Sequence, residues 1–426
     1  MKIIEISKDN AKKRLDQLMR RSDDDFSEID QSVSEILRNV KVKKDKALIE
    51  YTQQFDSATL QNIKVSQSEI DEAVLGMDES LIEIMKEAAT NIRDYHQLQK
   101  EKSWIETKAN GILLGQLVTP IQRIGVYVPG GKAVYPSTLL MNVIPAQIAQ
   151  VESIAIVTPP DKDGKIDPRI LVAASILGVN EIYKVGGAQA IAALAYGTES
   201  IQAVNKIVGP GNIYVARAKR AVFGLVDIDM IAGPSEICIV ADEYANPIYV
   251  AADLLSQAEH DEMASAMLVT HSRQLALAVI REAEKQAENS VRKEIIDESL
   301  TNYGYIFLTE DLDSSIEITN ELAPEHLELM IRDAITYLPR IKNAGAIFLG
   351  EYTPEPIGDY FAGPNHTLPT SGSAKFSSAL GVYDFVKKSS IIYYPKSALD
   401  EVREKVIKFA VSEGLDAHAN ALRVRK

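Results

Sequence analysis

Cysteine is nearly absent from this sequence. Cys238 is the single thiol in 426 residues, so no internal disulfide framework is available. Long apolar runs are missing too. No stretch of ~18 consecutive apolar residues offers a membrane span. Met1 to Lys8 has no apolar core of the kind a signal peptide needs. Positive charge is in deficit, with 46 Lys and Arg against 60 Asp and Glu and a formal net charge of −14. No basic stripe remains to neutralise phosphates, which argues against a nucleic-acid partner. Solenoid repeats and low-complexity segments are also lacking. Hydrophobic residues at 46% and charged residues at 25% form a globular balance, which excludes a disordered chain. The length exceeds one ordinary core, so two or more domains are expected. Together these features predict a soluble, cytoplasmic protein and leave its chemistry open.

What is present has a clear order. Before Trp104 the chain reads as mostly helical. Ile29, Val33, Ile36, Leu37 and Val40 share one helix face, as do Met77, Leu81, Ile84, Met85 and Ala88. Asn110-Gly111 between two short extended runs predicts a hairpin. From Arg123 onward short apolar strands alternate with helices, the signature of βαβ units on a parallel sheet. The strands are predicted at 124–128, 154–157, 182–185 and 207–208, then at 237–240, 267–269, 305–308 and 346–349. We read two α/β units, one inserted into the other, with a separate small piece after Phe376. The expected division is an N-terminal segment 1–22, a unit of 23–126 with 236–376, an inserted unit 127–235, and a tail 377–426.

Several strands end in glycine just before a helix, as in Pro129-Gly130-Gly131, Gly186-Gly187 and Gly209-Pro210-Gly211. Glycine lets a ligand approach the backbone, and helix N-termini offer free N–H groups to an anion. Tyr127, Gln189 and Asn212 lie beside such loops and are candidate cofactor contacts. The usual G-x-G-x-x-G fingerprint is absent, because Tyr214 stands where Gly209-x-Gly211 needs its third glycine. Glycine also punctuates βα turns that bind nothing. The pattern alone therefore reaches no further than an α/β protein suited to a nucleotide.

Six histidines carry the rest. His96, in a charged helix, reads as a solvated surface residue, and His271 as structural. Gln257 and His260 are three apart and share a helix face at the margin of an apolar stripe. Such pairs are common on helix surfaces and become metal ligands only with further donors. Pro324-Glu325-His326-Leu327 sets an acid beside an imidazole in what reads as a loop. The imidazole suits a general base, and a partly buried carboxylate suits water activation. The irregular segment from Glu355 to Thr370 carries Asp359 and His366, and the tail carries Glu413 and His418.

Joint occurrence of several strings goes beyond these local readings. They are Gly125-Val126-Tyr127-Val128-Pro129-Gly130-Gly131, Val185-Gly186-Gly187-Ala188-Gln189, Gly209-Pro210-Gly211-Asn212 and Asp229-Met230-Ile231-Ala232-Gly233-Pro234-Ser235-Glu236. Further on come Ser256-Gln257-Ala258-Glu259-His260-Asp261, Ala323-Pro324-Glu325-His326-Leu327, Gly358-Asp359-Tyr360, Asn365-His366 and Glu413-Gly414-Leu415 with Ala417-His418. In this order, across nearly the whole chain, they resemble the histidinol dehydrogenase family. The resemblance implies two incomplete Rossmann-like parallel-sheet units, like those of aldehyde dehydrogenases, which accounts for the missing fingerprint. It implies zinc held by Gln257, His260, Asp359 and His418, and NAD contacts at Tyr127, Gln189 and Asn212. It implies Glu325 and His326 as the catalytic pair. Ser235, His366 and Glu413 are implied substrate contacts, joined by Gln257, His260, His326, Asp359 and His418.

The implied reaction is a four-electron oxidation of L-histidinol to L-histidine with two NAD⁺, through histidinaldehyde, at the end of histidine biosynthesis. His326 is the implied base in both oxidations, and Glu325 activates the water that hydrates the aldehyde. In the family the matching tail crosses to a second subunit, so a homodimer with shared sites is expected. Three rival readings compete with this one. A cysteine-dependent aldehyde dehydrogenase needs a reactive thiol, and Cys238 sits inside an apolar strand. A zinc hydrolase would use the same ligands without NAD. A non-catalytic metal scaffold has no use for an adjacent acid and base.

Overall fold

The computed structural model describes residues 1–7, 15, 26–130 and 134–425. Residues 8–14 and 16–22 of the expected N-terminal segment lie outside the described residues, as does Gly131. Fourteen strands form three sheets among the described residues. They are β1 Lys2–Glu5, β2 Trp104–Thr107, β3 Leu113–Pro120, β4 Arg123–Tyr127, β5 Ser153–Thr158, β6 Ile182–Lys184 and β7 Lys206–Val208. The remainder are β8 Asp227–Ile228, β9 Glu236–Ala241, β10 Ser265–Thr270, β11 Gly304–Leu308, β12 His326–Met330, β13 Ala346–Leu349 and β14 Val386–Tyr393.

The middle sheet has the order β6-β5-β4-β7-β8 and is parallel throughout. The larger sheet has the order β1-β11-β10-β9-β12-β13, also all parallel. Parallel sheets of this kind are covered on both faces and read as continuous apolar runs. That is why β9 and β10 are buried along their whole length, and why the sequence announced them. The third sheet, β14-β3-β2, is antiparallel. The turn joining its β2 and β3 contains Gly111 at φ +81°, a left-handed geometry that glycine adopts without strain. Two Rossmann-like parallel units are thus present, as expected.

Several expectations need correction. The middle sheet already opens at Arg123, four residues before the expected boundary. Helices Ser27–Lys43, Gln67–Gly76 and Glu79–Gln97 pack chiefly on the helices of this same unit, although the last also touches Phe361 and Asn365. The reason is where their apolar faces go. Val33, Ile36, Leu37 and Val40 share a core with Ile191, Ala195 and Val215, and Met85, Ala88 and Ile92 share one with Leu140 and Ile144. The described chain before Trp104 is mostly helical, as expected, with the short strand β1 added, paired with β11. His96 is fully buried instead of solvated. Its Nδ1 lies 2.8 Å from the carbonyl of Ile92 and its Nε2 is 3.5 Å from Asn365 Nδ2. The first part of the tail joins the rest of the chain, with β14 paired to β3 and Leu380, Val382 and Phe385 in the middle unit's core, and only helices Lys396–Ser412 and Asp416–Arg423 pack chiefly on each other.

The connection from β8 to β9 fixes how the two parallel sheets meet. Asp229 leaves the carboxyl end of the middle sheet, and Glu236 begins β9 at the amino end of the larger one. Asp229–Ser235 joins these two ends. Asp229 is anchored by a buried ion pair with Lys219, and its Oδ2 accepts from Gly209 N–H at 2.7 Å.

Candidate active site

His326 opens β12, beside β9 in register with Ile237. The acid–imidazole pair is therefore not in a solvated loop, as the sequence suggested. Both side chains are buried, Glu325 at 6% and His326 at 4% exposure. The strand escaped notice because buried Glu328 and the polar pair interrupt its apolar run. Glu236 holds both residues. Its N–H donates to Glu325 Oε2 at 2.8 Å, and its carbonyl lies 3.0 Å from His326 Nδ1. A carbonyl only accepts, so Nδ1 carries the proton and Nε2 keeps its lone pair. That Nε2 is buried with no hydrogen-bond partner.

Burial holds the His326 imidazole below its ordinary pKa, despite the opposing pull of Asp359. The same burial pushes the Glu325 carboxyl well above the usual carboxylate range, reinforced by the nearby Glu236, Asp359 and Glu355 charges. A neutral imidazole with a free Nε2 is ready to take a proton. A carboxylate with a raised pKa is a stronger base toward water than a solvated one.

Helix Pro247–Ala258 brings Gln257 to the site at its C-terminal end, with His260 just beyond. Gln257 is fully buried, its Nε2 3.4 Å from His260 Nδ1, and its Oε1 has no hydrogen-bond partner. A buried amide oxygen without a donor is costly, and a cation is one natural partner for it. Asp359 comes from the short helix Glu355–Tyr360. Its Oδ1 lies 3.9 Å from His326 Nε2 and 3.6 Å from His366 Nδ1. Burial acts to raise the Asp359 pKa, but the facing histidines, His366, His326 and His260, outweigh it and lower the net value. His260 is itself lowered, chiefly by burial. The donor set of amide oxygen, imidazole and carboxylate fits zinc.

His366 Nδ1 sits 3.0 Å from the Asp359 carbonyl, and its Nε2 lies 3.3 Å from Thr138 Oγ1. Thr138 belongs to helix Pro136–Ile148, which covers the middle sheet. The bridge therefore ties the site to the other unit. Ser235 is half-buried at the start of β9, its carbonyl accepting from Ser265 N–H at 2.9 Å. Glu413, in the turn between the tail helices, and His418, on the second of them, are exposed, and no described contact joins them to the Asp359 cluster.

A carboxylate row behind the site was not foreseen. His326, Glu355 and Asp359 bring ligand atoms within 4.8 Å of one another. Glu355 is 1% exposed, with its Oε1 3.9 Å from His326 Nε2 and no hydrogen-bond partner. Its backbone N–H donates to Glu328 Oε1 at 2.7 Å. Burial pushes both Glu328 and Glu355 up to about 9, and Asp253 up to about 6. The signal for Glu328 was its place inside an otherwise apolar strand.

The expected cofactor contacts lie at the carboxyl edge of the middle sheet. Tyr127 ends β4, is buried, and its hydroxyl accepts from Gly187 N–H at 3.1 Å. Burial pushes that hydroxyl up to about 12. Gln189 is buried with its Oε1 unpartnered. Gly187 has φ +62°, and a Cβ there would meet the Gln189 amide at 2.6 Å. Exposed Asn212 caps helix Ile213–Val222, accepting from Val215 N–H at 3.2 Å. Backbone donors, a glycine too crowded for a side chain and an orphaned amide oxygen fit a dinucleotide.

Cys238 lies inside β9, fully buried, with its thiol pushed up to about 12 by burial. That is the opposite of an activated nucleophile.

Two Rossmann-like parallel sheets, a buried carboxyl beside a buried imidazole and an inert thiol fit the class of oxidoreductases. The comparisons refine this. The histidinol dehydrogenase family model matches residues 19–426. The histidinol dehydrogenase of Halalkalibacterium halodurans is 58% identical over 394 residues, covering 92% of this chain and 93% of that protein. That of Clostridium acetobutylicum is 53% identical over 425 residues, covering 100% and 99%. The crystal structure of histidinol dehydrogenase from Elizabethkingia anophelis superposes with a TM-score of 0.93 at 39% identity, over 100% of this chain and 98% of that one. The chain belongs to the histidinol dehydrogenase family.

Proposed function

We propose that this protein oxidises L-histidinol to L-histidine through histidinaldehyde, passing two hydrides to two NAD⁺, as the closing steps of histidine biosynthesis in the cytoplasm. The observation that carries the reading is His326 Nε2, a buried, unprotonated and unpartnered nitrogen beside Asp359. In the first oxidation His326 Nε2 accepts the hydroxyl proton as hydride leaves the carbinol carbon. Glu325 then takes a proton from water as that water adds to the aldehyde, and protonated His326 returns its proton to the former aldehyde oxygen, leaving a neutral hydrate and a free Nε2. His326 accepts the second hydroxyl proton as the hydrated aldehyde is oxidised to the acid. The Glu236 backbone holds both groups in place throughout.

Gln257, His260 and Asp359, with His418 from a second subunit, would hold zinc. When bound, that ion supplies a template for the substrate's imidazole and amine. Tyr127, Gln189 and Asn212 orient NAD⁺. Ser235, His366 and Glu413 position the substrate. The homodimer is supported by apolar residues left exposed at the C-terminal end, namely Ile392, Tyr393, Val406, Phe409 and Leu415.

The test is to mix the metal-loaded protein with L-histidinol and NAD⁺ and follow NADH absorbance. Two NADH per histidinol consumed is the expected result. Zinc-bound protein that forms no NADH would favour a hydrolase and overturn the reading.

A further inference from the structure

The cofactor crevice lacks one standard part. Dinucleotide-binding sheets usually present an acid at the end of the second strand, where it receives the adenosine ribose hydroxyls. Here the second strand, β5, runs into Thr158-Pro159-Pro160. The nearest acid, Asp161, is already engaged, its Oδ1 accepting from the N–H groups of Asp163 and Lys165, each at 2.9 Å.

A carboxylate reaches the crevice from elsewhere in the chain. Helix Asp45–Phe55 packs on helix Gly187–Tyr196. Lys44 Nζ donates to the Gly197 carbonyl at 2.8 Å and Asp45 N–H to Glu199 at 3.0 Å. The start of one helix thus meets the end of the other, and the pair is antiparallel. The eleven residues of Asp45–Phe55 therefore carry Asp56 toward the beginning of Gly187–Tyr196. The chain that follows runs along β6, with Lys184 N–H donating to the Ile63 carbonyl at 2.7 Å. Asp56 is close enough for its charge to act on Tyr127, whose hydroxyl is bound to Gly187.

Asp56 Oδ2 is buried and has no hydrogen-bond partner. Gln189 Oε1, on the first turn of the facing helix, is another such oxygen. Burial pushes the Asp56 carboxyl up to about 6, the mark of an acceptor that has lost water without gaining a donor.

We propose that Asp56 is a cofactor-specificity residue whose carboxylate accepts the adenosine ribose hydroxyls and rejects a dinucleotide phosphorylated there. The inference rests on the NAD reading above. Two hydroxyls converging on one carboxylate make charge-assisted bonds, and a 2′-phosphate would set like charges together.

The test titrates NADH and NADPH onto the purified protein and its Asp56→Asn and Asp56→Ser variants without substrate, read by nucleotide fluorescence. Steady-state constants with NAD⁺ and NADP⁺ follow. Asp56→Asn should raise the NADH Kd about tenfold. It should raise KM for NAD⁺ by a larger factor than it lowers kcat. The ratio of kcat/KM for NAD⁺ over NADP⁺ should fall at least tenfold, a readout independent of how much of the variant is folded. A wild-type Kd and an unchanged ratio in both variants would overturn the inference. A wild-type protein that binds neither nucleotide and forms no NADH overturns the cofactor reading instead.

Discussion

His326 Nδ1 lies 3.0 Å from the carbonyl oxygen of Glu236 on the neighbouring parallel strand. Backbone thus fixes the tautomer of the proposed base, and Glu325 is gripped by the N–H of the same residue. The two groups are rigid neighbours with separable tasks. His326→Gln should lower both half-reactions by ~10²–10⁴ in rate. Glu325→Gln should spare oxidation of histidinol more than oxidation of supplied histidinaldehyde. Rates measured separately from each substrate check this, and equal damage to both by Glu325→Gln would show the division of labour to be wrong.

Metal removal gives a second expectation. A strong chelator should abolish turnover and added Zn²⁺ should restore it. His260→Ala should lose bound zinc by elemental analysis, because Gln257 Oε1 and Asp359 would remain without their imidazole neighbour. Full turnover in protein shown to be free of metal would sink the zinc assignment.

The exposed positions of Glu413 and His418 bear on assembly. If they complete the site of a second subunit, His260→Ala and His418→Ala, each dead alone, should recover activity when mixed and allowed to exchange. Each hybrid dimer would hold one intact site, so about a quarter of all sites should return by counting over a two-fold dimer. Exchange proved by mass labelling with activity still absent would place each site within one chain.

Glu328 offers a pH test. Its carboxyl is raised from 4.5 to about 9 in the folded protein. Between those values the folded state keeps a proton that the unfolded state has lost, so stability declines as pH rises through this window. Glu328→Gln removes that slope while keeping an oxygen to accept from Glu355 N–H. The variant should gain stability over wild type as the pH approaches the raised Glu328 value of about 9, and lose that advantage below the ordinary carboxylate range. Urea midpoints across pH decide it, and parallel curves would count against it.

Lys219 is a fully buried cation paired with fully buried Asp229. Its Nζ also donates to the Gly209 carbonyl at 3.0 Å. Lys219→Met leaves the carboxylate buried and unpaired, a loss of roughly 3–5 kcal/mol. Adding Asp229→Asn should restore part of it. A urea-derived loss well under 1 kcal/mol for the single variant would mean that water reaches the pair.

Much of the fold was legible because parallel strands buried on both faces are written as unbroken apolar runs closed by glycine or proline, as at Ile154-Ala155-Ile156-Val157 before Pro159-Pro160. Other strands were hidden by their own polarity. β12 carries His326 and Glu328 among its leucines. β14 reads Val-Lys-Lys-Ser-Ser before its isoleucines. β1 offers only Ile3 and Ile4 between charges. His96 looked solvated because its helix neighbours are charged, while the segment that buries it, around Asn365, comes from 269 positions away. The proximity of Asp359 to His326 is likewise a product of topology, since no local spacing encodes it. Glu355, four residues before Asp359, gave no sign of burial in an acidic, proline-containing stretch.

The pairing of β1 with β11 has a consequence for synthesis. Lys2 to Glu5 must find Tyr305 to Leu308. At ~5–20 residues per second, the partner strand emerges on the order of 15–60 s after the first residues do. During that interval an Ile-Ile edge has nothing to pair with. The lysine before it and the glutamate after it are the charges that keep such a waiting strand from pairing with another nascent chain.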